Sequence, residues 1–246
     1  MSHANPMSTT HSCIMPDVQP ILTELQESVS THFCSEFGPK RAVFEEFIHG
    51  VFKQAFGAKL SSYYPKLLAF TTGTQIRSVV GYRDGMIKPL FSEQYLDAAA
   101  EHVIGAHLGQ DIERRELVEV GNLALAGRGE VRWVIAAMTV FLYAAGYRWV
   151  LFTAVKPLYN AFQRLGLKPI QIAKPDPERL PDGGSNWGSY YQAEPVVCAG
   201  DIAAGYRKLI AFISQHQPQL SALLEESFFH GIKTRCVGAG KIDKAG

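Results

Sequence analysis

Glu119 and Asn122 stand inside an otherwise apolar run, Leu117-Val-Glu-Val-Gly-Asn-Leu-Ala124, and a strand that only fills a core needs neither. Polar side chains in that setting point to a site. The run passes through Leu125-Ala-Gly-Arg-Gly-Glu130 into the apolar stretch Val131 to Tyr147. It reads as a strand that ends in a glycine-containing turn and feeds a long buried helix. The first N–H groups of a helix lack partners within it and its dipole favours negative charge there, so this junction suits a phosphate or another anion. Arg128 lies in the turn, where a guanidinium can fork onto phosphate oxygens; the alternative is a solvated side chain. Asn122 either holds a carbonyl or amide of a substrate or satisfies loose backbone at the strand's end.

A second group, Glu93, Gln94, Tyr95 and Asp97, follows Leu90-Phe91 within what reads as one extended segment. Either these residues line a pocket for an acceptor molecule, or alternate positions of an edge strand face water. His102 and His107 lie five apart on a helical segment and do not share a face, so no metal site is expected. The four cysteines, Cys13, Cys34, Cys198 and Cys236, form no CxxC pair, which argues for reduced thiols over a disulfide framework or metal centre. Trp187, Tyr190 and Tyr191 read as packing anchors, with ligand stacking as the alternative.

The elements that would position these groups follow from periodicity and punctuation. Thr31 to Phe37 reads as a strand ended by Gly38-Pro39, and Arg41 to Phe56 as a helix closed by Gly57. Leu67 to Thr72 and Ile76 to Arg83 form a hairpin around Gly73-Thr74. A helix over Ala98 to Leu108 precedes the strand Leu117 to Ala124, the helix Gly129 to Ala145 and the strand Trp149 to Ala154. Pro157 to Leu165 then forms an amphipathic helix with Gly166 at its end. Strands at Pro169 to Ala173 and Tyr190 to Val197 and helices at Asp201 to Ser214 and Leu220 to Phe229 complete the order. The strand–helix–strand crossover at the centre of this mixed α/β arrangement puts a ligand crevice at the strand's carboxyl end, where Asn122 and Gly127 to Gly129 lie.

Residues 31–215 are expected to form one domain, with a weakly ordered arm at 1–30 (a short helix at Ile21 to Glu27) and a C-terminal helix and loose tail at 216–246. An apolar fraction of 47% supports a sizeable core, and a net charge of +1 favours neither nucleic acid nor an anionic membrane. Trp133 to Tyr147 falls short of the roughly 20 apolar residues that span a bilayer, and Met1 to Pro20 shows no secretory pattern. A cytoplasmic protein is expected.

Three segments together resemble the thermostable hemolysin family: Leu90-Phe-Ser-Glu-Gln-Tyr-Leu-Asp97, Val118-Glu-Val-Gly-Asn-Leu-Ala124 and Phe162-Gln-Arg-Leu-Gly-Leu167. Gly81-Tyr-Arg83, Trp149 to Thr153 and Trp187-Gly-Ser-Tyr-Tyr191 fit the same picture, so the resemblance covers roughly residues 31–205. That family is similar to GNAT acyltransferases and to acyl-homoserine-lactone synthases. The resemblance implies a GNAT-like mixed sheet flanked by helices and acyl transfer from coenzyme A or acyl-carrier protein to an amine of a small molecule. It casts Glu119 as general base and Asn122, Leu123, Gly127, Arg128, Gly129 and Asn160 as the cofactor cradle. Arg83, Glu93, Gln94 and Asp97 become substrate-binding residues.

Where GNAT enzymes often carry a thiolate-protonating tyrosine this chain has Phe162, so the acid falls to Tyr159 or Tyr95. Glu130 adds a negative charge beside the phosphate turn. For Glu119 the alternative is a structural ion pair with Arg83 or Arg115. The rival readings are a membrane-active hemolysin and a GNAT-like ligand-binding protein without chemistry.

Overall fold

Alternation organises the first half of the chain. In β2 (Lys66–Thr72), Leu67 and Ala69 face one side of the sheet and Leu68 and Phe70 the other. β2 turns at Gly73, whose φ of 56° suits a residue without Cβ, into β3 (Gln75–Asp84). The computed structural model describes residues 29–87, 89–216 and 220–242. β1 (Val29–Cys34) pairs with β2 at the sheet's edge, and α1 (Arg41–Phe56) lays Phe44 and Ile48 on the Leu67 face. After α2 (Ala100–Leu108) come β4 (Leu117–Leu125), α3 (Val131–Ala144), β5 (Trp149–Ala154), α4 (Lys156–Arg164), β6 (Ile170–Ala173), β7 (Val196–Asp201), α5 (Ile202–His216) and α6 (Ser221–Ile242).

The seven strands run in the order β1-β2-β3-β4-β5-β7-β6, parallel only between β4 and β5. This is a mixed sheet flanked by helices, as the family resemblance implied, with the β4–α3–β5 crossover at its centre. α3 is apolar nearly all round because it lies between the sheet and the helices α5 and α6.

Two irregularities in β4 make the site. Val79 pairs with Ala124 but Gly81 pairs with Gly121, so Asn122 and Leu123 together oppose Val80. Asn122 adopts a φ of 47°, and such a bulge bends its strand. On its other side β4 pairs with β5 only from Leu117 to Val120, although the strands continue to Leu125 and Ala154. Beyond Val120 the centre of the sheet is open.

Several boundaries differ from those the sequence suggested. Phe91–Tyr95 is a 3-10 turn, not an extended segment, because carboxylates take up its free N–H groups. Tyr190–Ala193 is likewise a 3-10 turn, whose rings pack on Phe56 and Tyr95 while Glu194 at φ 48° ends it; the last strand begins only at Val196. The first strand runs Val29–Cys34, two residues early, and α3 begins at Val131 after a 3-10 turn at Arg128–Glu130. α6 continues to Ile242, through residues expected to be loose. The helix suggested at Ile21 to Glu27 lies outside the described residues. Among the described residues no helix is long and apolar enough to cross a membrane.

Candidate active site

Residues 117, 119 and 121 of β4 point to the side of α2 and the Phe91–Tyr95 turn, whereas Val118 and Val120 point to α3. This parity buries Glu119 completely. Its Oε2 accepts the N–H of Phe91 at 2.8 Å and its Oε1 that of Ser92 at 2.6 Å, so the carboxylate caps the start of the 3-10 turn. Burial pushes the Glu119 pKa up, against the pull of the Ser92 and Phe91 hydrogen bonds and the Arg83 charge. Among the described residues no ion pair joins Glu119 to Arg83 or Arg115. Arg115 pairs with Glu113 at the surface at 2.6 Å, while Arg83 lies opposite Glu119 in the β3–β4 register and acts on it through its charge.

Against Glu119 lies Tyr64, which sequence reasoning passed over. Its ring and hydroxyl lie over Gly121, two positions along the same face of β4 from Glu119, and burial followed by the Glu119 charge holds the phenol well above its ordinary pKa. The ring lies over two glycines of adjacent strands. A Cβ at Gly81 would come within 2.8 Å of Tyr64 Cβ, and one at Gly121 within 2.6 Å of the ring. The Arg83 guanidinium covers the ring at 5.1 Å from its centroid. Glycine inside a strand marks a close approach, and Gly81 and Gly121 were the available signal.

Where β4 leaves β5 there is a cavity of about 1480 Å³ that reaches both faces of the sheet. On the α1 side it is walled by aromatic rings, among them Phe56, Tyr64, Phe91, Tyr95 and Tyr190. On the α3 side it is apolar, with Ile135, Met138, Leu142, Phe162 and Leu165. Arg128, Arg132, Arg164, Lys168 and Lys208, with Arg83, contribute six cations to its lining.

Of the residues singled out in the sequence, Arg83, Tyr95, Asn122, Leu123, Arg128, Phe162, Trp187 and Tyr190 line this cavity. Arg83 Nη1 donates to the Pro89 carbonyl at 2.9 Å, and its buried Nε has no hydrogen-bond partner among the described residues. The Tyr95 hydroxyl is 2.6 Å from that of Tyr191, and burial, then this bond, raises its pKa. Asn122 Oδ1 accepts the Tyr64 N–H at 2.9 Å, so it also holds backbone, as one of its two readings had it. Gly127 and Gly129 flank Arg128, and a Cβ at either would meet nothing within 4 Å.

Other candidates lie elsewhere. Tyr159 and Asn160 are not among the lining residues, and the Tyr159 hydroxyl is 3.5 Å from the Pro169 carbonyl to which it donates. Phe162, by contrast, belongs to the cavity wall and stacks on Phe152 with centroids 4.7 Å apart. Glu93 binds Arg114 and accepts the N–H groups of Leu90 and Ala100. Burial works to raise its pKa, but Arg114 and the two N–H donors outweigh it and bring it to about 2. Gln94 donates to the Phe91 carbonyl, and Asp97 pairs with Arg179 at 2.9 Å. The segment 93–97 thus turns its acids away from the cavity and only Tyr95 toward it. Glu130 is turned inward too, bound by Arg77 and by Trp133 Nε1 at 2.7 Å, so its charge is compensated and does not face the turn at Arg128.

The fold is similar to that of the CoA-dependent acyl-homoserine lactone synthase BjaI with SAM and isopentyl-CoA, at a TM-score of 0.52 and 14% identity over 76% of this chain and 89% of that one. It is similar also to TofI in a ternary complex with an inhibitor and MTA, at a TM-score of 0.50 and 15% identity over 74% and 96% of the two chains. At such identities the likeness is one of fold. In sequence, no protein of curated function matches the chain. Residues 35–206 match thermostable hemolysin, a span that holds β4, its splayed edge and most of the cavity wall, and the chain belongs to the thermostable hemolysin family.

Proposed function

We propose that the protein transfers an acyl group from a thioester of coenzyme A or acyl-carrier protein to the amine of a small molecule. The observation that carries this reading is the opening between β4 and β5. From Gly121 onward the edge of β4 that would pair with β5 borders the cavity. Unpaired backbone there can bond the amides of an extended pantetheine arm and stabilise a thioester oxyanion. The cations Arg128, Arg132 and Arg164 suit the phosphates of the donor, and the apolar wall under α3 suits an acyl chain.

The acceptor enters from the aromatic side. Arg83 offers it a cation, and the Glu119–Tyr64 pair lies where a nucleophilic nitrogen must lose its proton. Thioester donors of this kind are cytoplasmic, which fits the expected location. The test is to mix the purified protein with acyl-coenzyme A of graded chain length and a panel of amines, following free thiol and the mass of the product. Binding of the donor with no thiol release for any amine would favour a ligand-binding role instead.

A further inference from the structure

We propose that Tyr64 is the residue that handles the acceptor's proton, with Glu119 behind it as a positioning residue and proton store. The inference rests on the acyl-transfer reading and deepens it. Glu119 is fully buried, both its oxygens accept backbone N–H groups, and it is not part of the cavity wall. A substrate nitrogen in the cavity therefore meets Tyr64 first. The Tyr64 hydroxyl stands between the two, since the residue lines the cavity and a Cβ at Gly121, two positions along the same face of β4 from Glu119, would be 2.7 Å from that hydroxyl.

The surroundings of Tyr64 are built to hold that ring. Its N–H is fixed by Asn122 Oδ1 at 2.9 Å and its carbonyl by Arg41 Nη2 at 2.7 Å. Gly81 and Gly121 leave a slot that any side chain would fill, and Arg83 closes it from above. The left-handed backbone of Asn122 serves the same end, because the bulge aims its side chain at Tyr64. A core tyrosine needs none of these supports.

In the step itself the amine nitrogen attacks the thioester carbon. The N–C bond forms and the C–S bond breaks, its electron pair leaving on sulfur. The nitrogen's proton passes to the Tyr64 oxygen as the Tyr64 proton moves to Glu119. The same path in reverse returns a proton to the thiolate, so amide and thiol leave and both side chains are restored. The raised pKa values suit these tasks: the phenol stays protonated, and the carboxylate is a better base than an exposed one. The charged and titratable groups facing Glu119 are Arg83 on β3, Tyr64 before β2 and Tyr95 on the capped turn.

The experiment compares the parent, Tyr64→Phe, Glu119→Gln and the double variant, all full length. Tyr64→Phe keeps the ring in its slot and removes only the hydroxyl. Expected is a loss of about 10²- to 10⁴-fold in kcat for each single variant, with KM for the donor little changed. The double variant should be no slower than the slower single, as for residues acting as one unit. Tyr64→Phe turning over at the parent's rate would overturn the proposal. A second readout needs no turnover: the infrared carbonyl band of Glu119, identified by its loss in Glu119→Gln, titrates with pH. Removing the hydroxyl should raise its midpoint by more than about half a unit, since a polar group beside the charged form is lost. An unmoved midpoint would overturn the relay. A parent that releases no thiol from any donor refutes the acyl-transfer reading, while the titration still decides whether hydroxyl and carboxylate are coupled.

Discussion

Glu93 and Glu119 both cap the 3-10 turn Phe91–Tyr95, Glu93 through the Leu90 N–H and Glu119 through those of Phe91 and Ser92. Their electrostatics are opposite. Glu93 is locked to Arg114, with Glu101 on the same guanidinium, and its pKa falls to about 2. Glu119 has no cation within ion-pair distance among the described residues, has a phenol as neighbour, and its pKa rises. Backbone hydrogen bonds are common to both, so they do not decide the difference. Burial raises both, but Arg114 bonded to Glu93 outweighs it, whereas the unbonded Arg83 charge beside Glu119 does not, and this leaves Glu119 able to take up a proton.

The comparison breaks most sharply in rate. Glu119→Gln should lower turnover by about 10²- to 10⁴-fold with the fold retained, whereas Glu93→Gln should leave kcat near that of the parent. Steady-state kinetics on both variants, beside circular dichroism, decides; an active Glu119→Gln would remove the distinction. The pH dependence follows the same sign. Glu119 accepts a proton only when ionised, so kcat should rise through a pH above the ordinary carboxylate range, and that limb should vanish in Glu119→Gln.

In stability the order reverses. Glu93→Gln leaves Arg114 with one fewer partner in a nearly buried pair and should cost about 3 kcal/mol in a denaturant titration. Because the folded pKa of Glu93 lies below its ordinary value, its contribution is full above pH 4.5 and is lost as pH falls toward about 2. Acid unfolding of the parent should steepen in that window, and that of Glu93→Gln should not.

Smaller effects test the positioning. Gly121→Ala puts a Cβ 2.6 Å from the Tyr64 ring and should cost about 1–3 kcal/mol as the ring shifts, with turnover falling further than stability explains. Gly129→Val meets no neighbour, so its melting temperature should stay within a few degrees while donor binding weakens. Unchanged affinity for acyl-coenzyme A, measured by calorimetry, would place the phosphates elsewhere. Smallest of all, the pure protein at micromolar concentration should release no dye from liposomes. Leakage that grows with protein concentration, without substrate, would favour the family's name taken literally.

The elements were legible wherever one strong local pattern dominated. α1 and β5 have the bounds their periodicity implied, and the Gly73 turn marked the hairpin. The 93–97 and 190–193 segments were misread because their tyrosines favour strands and no glycine or proline within them marks a turn. Rings packing from distant elements and carboxylates capping N–H groups turned them into 3-10 turns instead.

By itself the sequence determined that β4 carries polar groups in an apolar setting and feeds a buried helix, and this was enough to mark the central crossover and to single out Glu119 as a candidate. Hydrophobic periodicity is local, and burial follows from it. Only tertiary structure decided which side chains meet. Tyr64, Gly81 and Gly121 come from three segments and become one slot only when β3 and β4 pair in register. Glu93 and Glu130, which read as acids near a site, found Arg114 and Arg77 across the fold. A charge's partner is set by packing between elements distant in the chain, and that partner decides whether a carboxylate holds the fold or serves the site.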